Sequence, residues 1–144
     1  MTIVFDIDGT LSLPGDRLKH LAEDPPNWNK FYERCGEDDA NRSIQQLCWL
    51  LQRPELPAYT YYLTGRRESC REATENWLRL WGLSARAPLL MRPDGDTRHD
   101  TIVKPELLTK AGINPDIIFE DRNSMVAKWR ELGFTCCQVA EGDF

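Results

Sequence analysis

The strongest constraint on this chain is its opening: Thr2 to Ile7 is a compact, β-branched apolar run that Asp8 and Gly9 bring to a halt. Such a run reads as a buried strand ending in a loop, which sets Asp6 and Asp8 at the strand's carboxyl end. Ala58 to Leu63 is strand-like again and ends at Thr64-Gly65, and Pro88 to Met91, Ile117 to Phe119 and Phe134 to Val139 read as further strands. Helical stretches fall between them. Residues 41–53 place Ile44, Leu47, Cys48 and Leu51 at helical spacing, behind Asn41 or Ser43 as a cap and ahead of Pro54 as a stop. A second helix is expected from Glu68 to Trp81 with Gly82 beyond it, a third from Pro105 to Gly112, and a fourth from Asn123 or Ser124 to Leu132. This alternation predicts an α/β fold, a mainly parallel sheet with helices on both faces, and puts a ligand site beyond the carboxyl ends of the strands.

A length of 144 residues suits a single domain spanning 1–144. Residues 14–41 stand outside the alternation. They hold Pro25, Pro26, Trp28, Phe31 and Tyr32, and read either as a small cap or flap beside the first loop or as aromatic cover on an edge of the core. No apolar run reaches the length of a bilayer span, and the acids of MTIVFDIDGT stand where a signal peptide needs an apolar stretch, so a cytoplasmic protein is expected. Cys35, Cys48, Cys70, Cys136 and Cys137 show neither paired metal spacing nor disulfide density and are expected as reduced, mostly buried thiols. A net charge of -5 argues against attraction of nucleic acid to the whole surface, though not against a local basic patch.

The chemistry-bearing residues fall where one site in such a fold would collect them. They are Asp6-Ile7-Asp8-Gly9-Thr10 after the first strand, Thr64-Gly65-Arg66 after the second, Lys104 before the Pro105 helix, and Glu120-Asp121 after Phe119. A lone D-x-D is often a turn or helix cap, and a lone Lys is usually solvated. Together and in this order they fit phosphoryl transfer. One of Asp6 and Asp8 can attack phosphorus while the other gives a proton to the leaving oxygen. Carboxylates facing a phosphoryl group repel it unless cations intervene, and an all-oxygen set points to Mg²⁺ rather than zinc. Lys104 adds positive charge, while Thr64 and the Gly65 amide can hydrogen-bond the transferring oxygens.

The order DxDGT, TGR, Lys, then an acidic pair resembles the haloacid-dehalogenase phosphatases, a superfamily with a Rossmann-like fold, over essentially the whole chain. The resemblance implies an aspartyl-phosphate on Asp6, acid/base work by Asp8, and phosphate binding by Thr64 and Lys104. It also implies Mg²⁺ held by Asp6, the backbone carbonyl of Asp8, and Asp121, with Glu120 nearby. Three longer strings, GDTRHDTIVK (Gly95 to Lys104), EDR (Glu120 to Arg122) and WRELGFTCCQVAEGDF (Trp129 to Phe144), are similar to the 3′-phosphatase domains of T-even phage polynucleotide kinase-phosphatases. Carried over, that likeness makes Arg17, Arg66 and Arg122 phosphate- and substrate-gripping residues, and Asp100 a structural or catalytic acid.

The chain has no GxxxxGK[ST] loop, so 5′-kinase activity is not expected. Glu120 stands where an Asp opens the pair in those relatives, the segment from Arg67 to Ala73 differs from theirs, and residues 14–41 have no counterpart among the matching strings. The likeness implies a phosphorylated nucleic-acid end as substrate, with a free nucleotide or other small phosphate as the alternative. A noncatalytic phosphoacceptor or binding module stands further off, because it gives no reason for Asp8 two residues after Asp6.

Overall fold

A computed structural model of the chain describes residues 1–83 and 87–142, so the last two residues of the Trp129 to Phe144 string lie outside them. The strands are β1 (Thr2–Phe5), β2 (Ser12–Leu13), β3 (Asp39–Ala40), β4 (Tyr59–Arg67), β5 (Leu89–Arg92), β6 (Ile117–Arg122) and β7 (Cys136–Gly142). The helices are α1 (Trp28–Glu33), α2 (Arg42–Leu51), α3 (Arg71–Leu80), α4 (Asp100–Ala111) and α5 (Asn123–Glu131), with short 3-10 turns at Gly15–His20 and Glu68–Cys70.

β1 is central in a five-stranded sheet of order β5-β4-β1-β6-β7, in which every pairing is parallel. A strand buried on both faces reads as a continuous apolar run, which is why the opening was so legible. Ile3 and Phe5 pack against Cys48 of α2 and Trp77 and Leu78 of α3 on one face. Val4 packs against Leu108 of α4 and Met125, Val126 and Trp129 of α5 on the other. Each such fully buried aliphatic or Phe side chain contributes roughly 1.5–3 kcal/mol relative to exposure. The chain moves outward from β1 to β4 and β5, then returns to β6 on the opposite side of β1. The strand order reverses there, and in open α/β sheets the crevice at that reversal takes the ligand.

Residues 14–38, most of the 14–41 segment, form an excursion between β2 and β3, which pair antiparallel and close it at its base. Its one α-helix, α1, has Asn27 at its N-cap, the side chain accepting from the Lys30 amide. Phe31 is buried, and Trp28 and Tyr32 stay partly open. The five cysteines are free, three of them buried. Among the described residues no helix is long and apolar enough to cross a membrane.

Several boundaries differ from expectation for definite reasons. β4 does not end at Thr64-Gly65 but continues to Arg67 through a register shift, because Arg66 is drawn into a buried ion cluster. β6 likewise carries Glu120 and Asp121 within it rather than after it. α4 starts at Asp100, and Pro105 lies inside it rather than at its head. The His99 ring nitrogen accepts from the Thr101 amide and starts the helix a full turn earlier, while Pro105 forgoes one backbone bond. Neither Asn123 nor Ser124 caps α5, since Arg122 occupies that position and the Asn123 carbonyl accepts from Gln138 instead. β7 begins at Cys136, because Phe134 still donates its amide to Trp129 at the end of α5.

Candidate active site

Asp6 leaves the end of β1 with its amide on the Phe119 carbonyl of β6, so the two acidic motifs meet at the sheet's reversal point. One carboxylate oxygen from each of Asp6, Glu120 and Asp121 lies within 4.8 Å of the others, and all three residues are buried. The Lys104 ammonium sits between Asp6 Oδ1 at 2.6 Å and Glu120 Oε2 at 2.8 Å. It comes from the second turn of α4, which is why the earlier helix start matters to the site.

Charge is unbalanced here. Burial and the neighbouring Glu120 carboxylate push Asp6 well above the usual carboxylate range against the pull of Lys104. Burial and Glu120 push Asp121 up to about 6. Burial works against the Lys104 charge, but Asp6 and Glu120 more than offset it and hold the amine protonated. The second oxygen of Glu120 accepts from the Asp121 and Arg122 amides. The Thr10 hydroxyl donates to Asp121 Oδ1 at 3.1 Å.

Gly9 makes this packing possible. Its φ is +90°, and a Cβ there would stand 2.1 Å from Asp121 Oδ2. Gly9→Ala is therefore expected to cost about 1–3 kcal/mol, from backbone strain and displacement of a buried carboxylate. Urea unfolding checks this, and an unchanged midpoint would contradict the close packing.

Asp8 turns the other way. Its carboxylate accepts from Arg66 Nε at 2.9 Å and Nη2 at 2.7 Å, and from Arg17 Nη2 at 2.8 Å. Burial alone would raise it, but Arg66 and Arg17 outweigh burial and hold it well below the usual carboxylate range. Asp38 completes the cluster by accepting from both arginines. Arg17 also donates to the Phe31 carbonyl and lies over the Phe31 ring, which ties α1 to this cluster.

The chamber between these groups, about 20 Å³ in volume, is lined by Asp6, Asp8, Thr64, Gly65, Lys104 and Glu120 from the core, together with Asp100 and Arg122. Trp28, Phe31 and Tyr32 form its remaining wall. The Tyr32 hydroxyl donates to the Gly65 carbonyl at 3.1 Å. Gly65 also lies against Asp100, whose Oδ1 would be 2.8 Å from any Cβ at that position. Asp100 itself is buried between Arg92 and Arg122. Burial opposes its charge, but Lys104 and the two arginines win and keep it below the ordinary range.

The expected site residues thus converge, with a division of labour that the motifs did not show. Arg122 reaches the chamber wall, whereas the Arg17 and Arg66 guanidiniums are bonded to Asp8 and Asp38 behind it. Asp38 and Arg92 were missed as site residues. Asp38 is one acid of an ordinary-looking EDD, and Arg92 opens what reads as a polar loop. Only the third dimension joins them to the motifs.

A parallel sheet with this reversal point, and Lys104 between two of the acids there, defines a haloacid-dehalogenase-type phosphatase. More particularly, the chain belongs to the family of the polynucleotide kinase PNKP phosphatase domain, whose profile matches residues 1–144. It is 26% identical over 133 residues to a protein described as a bifunctional polynucleotide kinase/RNA ligase of Autographa californica nuclear polyhedrosis virus, covering 90% of this chain and 18% of that protein. A chain of the solved Pnkp1/Rnl/Hen1 complex superposes with a TM-score of 0.83 at 31% identity, over 99% of this chain and 47% of that one. The haloacid dehalogenase-like hydrolase SP0104 from Streptococcus pneumoniae shares the fold, with a TM-score of 0.63 at 15% identity over 95% of this chain and 83% of that one. The chain spans less than half the length of the first two.

Proposed function

We propose that this domain is a Mg²⁺-dependent phosphomonoesterase acting through an aspartyl-phosphate on Asp6, and that its substrate is the 3′-phosphorylated end of a nucleic acid. The observation that carries the reading is the contrast between the two aspartates. Asp6 sits with other carboxylates around a single ammonium, and Asp8 sits between guanidiniums. In the metal-free site Asp6 is raised and Asp8 lowered, the reverse of what a nucleophile and an acid need, so a cation beside Asp6 and phosphoryl charge beside Asp8 would have to supply the exchange.

The donor set fits Mg²⁺. It is all oxygen, and the raised Asp6 and Asp121 mark a site short of positive charge. Asp6 and Asp121, with the Asp8 backbone carbonyl, would hold the ion beside Glu120, which Lys104 already occupies. When bound, the ion neutralises phosphoryl charge.

The protein's own groups carry the rest. Lys104 holds Asp6 toward the chamber, and Thr64 and the Gly65 amide receive phosphoryl oxygens. Asp6 attacks phosphorus, the ester P–O bond breaks, and Asp8 gives its proton to the leaving oxygen. Water then attacks the aspartyl-phosphate and passes its proton back to Asp8, which frees phosphate and restores Asp6. The arginine pair keeps Asp8 ionised, the state this second step needs. For the first step the negative charge of the bound phosphoryl group beside Asp8 raises its affinity for a proton, while Arg17 and Arg66 position the carboxylate from behind the chamber. Asp100 positions Arg122 at the chamber wall, and residues 14–41 act as a small cap.

Asp8→Asn is expected to lower kcat on a natural alkyl ester at least tenfold more than on p-nitrophenyl phosphate, whose leaving group needs no proton. Equal losses would remove the acid role. The nucleic-acid substrate is supported by the family and by relatives named for polynucleotide kinase, RNA ligase and RNA repair. Phosphate release from a 3′-phosphorylated oligonucleotide, its 5′-phosphorylated counterpart and free nucleotides tests it. Preference for the 3′ end upholds the reading, whereas preference for free nucleotides keeps the chemistry and overturns the substrate.

A further inference from the structure

A second cavity, of about 350 Å³, opens beside the catalytic chamber. Trp28, Tyr32, Asp100 and Arg122 are walls of both, more than the other cavities nearby share with the chamber, so a group attached to a phosphoryl at Asp6 can extend into this cleft. Its volume is at the lower end for small organic ligands, enough for one nucleoside. Two features give the cleft a chemical preference. The Trp28 and Tyr32 rings are stacked, with centroids 6.0 Å apart and planes 28° apart, and Trp28 is left exposed. Arg67 reaches the same cleft from the end of β4, its guanidinium carbon 5.7 Å from the Tyr32 centroid.

Arg67 differs from the other arginines of the cleft. Arg98 is held by Asp96 and Glu106, and Arg92 and Arg122 both bond Asp100. Arg67 donates to the neutral Asn29 side chain at 2.8 Å, and among the described residues it has no acidic partner. A positive charge left without an acid at the rim of an aromatic-walled cleft suits an anion one unit further along the ligand than the reacting phosphate.

We infer that this cleft seats the 3′-terminal nucleoside of a polynucleotide: its base stacks on the Trp28–Tyr32 pair, and the phosphodiester on its 5′ side meets Arg67. The inference rests on reading the site as a 3′-phosphatase and adds what selects the polymer over a free nucleotide. A nucleoside 3′-monophosphate fills the aromatic part and has nothing to offer Arg67. Stacking accepts any base, since every base has a π-face, so no sequence preference is expected.

The test compares kcat/KM in Mg²⁺ for p-nitrophenyl phosphate, thymidine 3′-monophosphate and a 3′-phosphorylated oligonucleotide, using wild type, Trp28→Ala, Trp28→Phe, Arg67→Ala and Arg67→Lys. Trp28→Ala should lower kcat/KM on both nucleoside substrates about tenfold more than on p-nitrophenyl phosphate, the scale of one base–aromatic stack, and Trp28→Phe should recover most of it. Arg67→Ala should lower the oligonucleotide value about tenfold more than that of the mononucleotide, and should reduce the slope of log KM against log salt by about one. Arg67→Lys should keep that slope. Equal Trp28→Ala losses on all three substrates would reduce the aromatic pair to a wall of the chamber. Equal Arg67→Ala losses on oligonucleotide and mononucleotide would remove the phosphodiester contact. A wild-type protein that hydrolyses p-nitrophenyl phosphate but neither 3′-phosphate would overturn the 3′-phosphatase reading and this inference with it, and that result is visible before any variant is compared.

Discussion

Asp6→Asn is expected to lower phosphate release by at least about four orders of magnitude while leaving the protein no less stable than wild type. The first half follows from the loss of the attacking atom, since removing a nucleophile from a coupled site costs nearly the whole of its chemistry. The second half follows from the charge imbalance around Lys104. Folding raises the Asp6 pKa, so above the unfolded carboxylate value the ionised side chain opposes folding, and the amide removes that opposition. Lys104 keeps Glu120 at 2.8 Å as its partner. Without divalent metal, the variant's melting temperature should therefore equal or exceed that of wild type. Retained turnover would remove Asp6 as nucleophile, and a melting temperature lowered by several degrees would mean that Asp6 has a structural role these contacts do not reveal.

Arg66→Ala should have the largest effect on stability, a loss of about 3–5 kcal/mol, or roughly 10 °C in melting temperature. Arg66 is fully buried and donates to Asp8, Asp38, Ser12 and Thr74. Its removal leaves Asp8 and Asp38 with only Arg17 between them and opens a cavity in a packed region. Arg66→Lys should fall between, because an ammonium keeps the charge but not the two-pronged contact with Asp8. A pH signature accompanies the loss. The Asp8 pKa is depressed by folding, so its contribution is present above about pH 4 and fades as the pH falls below that value. The acid-side slope of stability should flatten in Arg66→Ala, and an unchanged slope would mean that Arg66 does not hold the Asp8 charge.

The central strands were legible because buried parallel strands and the acids that follow their apolar runs are local patterns. β1, β4 and β6 could be placed from their apolar runs, and Asp6, Asp8, Thr64, Glu120 and Asp121 followed from where those runs stopped. What stayed hidden depended on tertiary partners. Arg66 looked like a loop residue after Thr64-Gly65, yet its contacts with Asp8 and Asp38 carry β4 on to Arg67. Pro105 looked like a helix start, yet the His99 cap and the two arginines on Asp100 stabilise the preceding turn. The aromatic residues of 14–41 read either as a cap or as core cover. In the fold Phe31 is buried, and Trp28, Phe31 and Tyr32 all line the chamber. Arg67 was not among the expected site residues. It lies at the end of β4 on the cleft, while Arg71 is ion-paired with Glu68 and Glu75 on its own helix.

The most direct test of the central claim is a rapid-quench single turnover with an oligonucleotide carrying a radiolabelled 3′-phosphate in Mg²⁺, stopped in acid and mapped by proteolysis at low pH, where an aspartyl-phosphate survives. The account predicts that label appears transiently on the peptide containing Asp6 and then as free phosphate, with no label transferred from the matched 5′-labelled oligonucleotide. Free phosphate formed from the 3′ end with no protein-bound label at any time, or label on a peptide lacking Asp6, would contradict it.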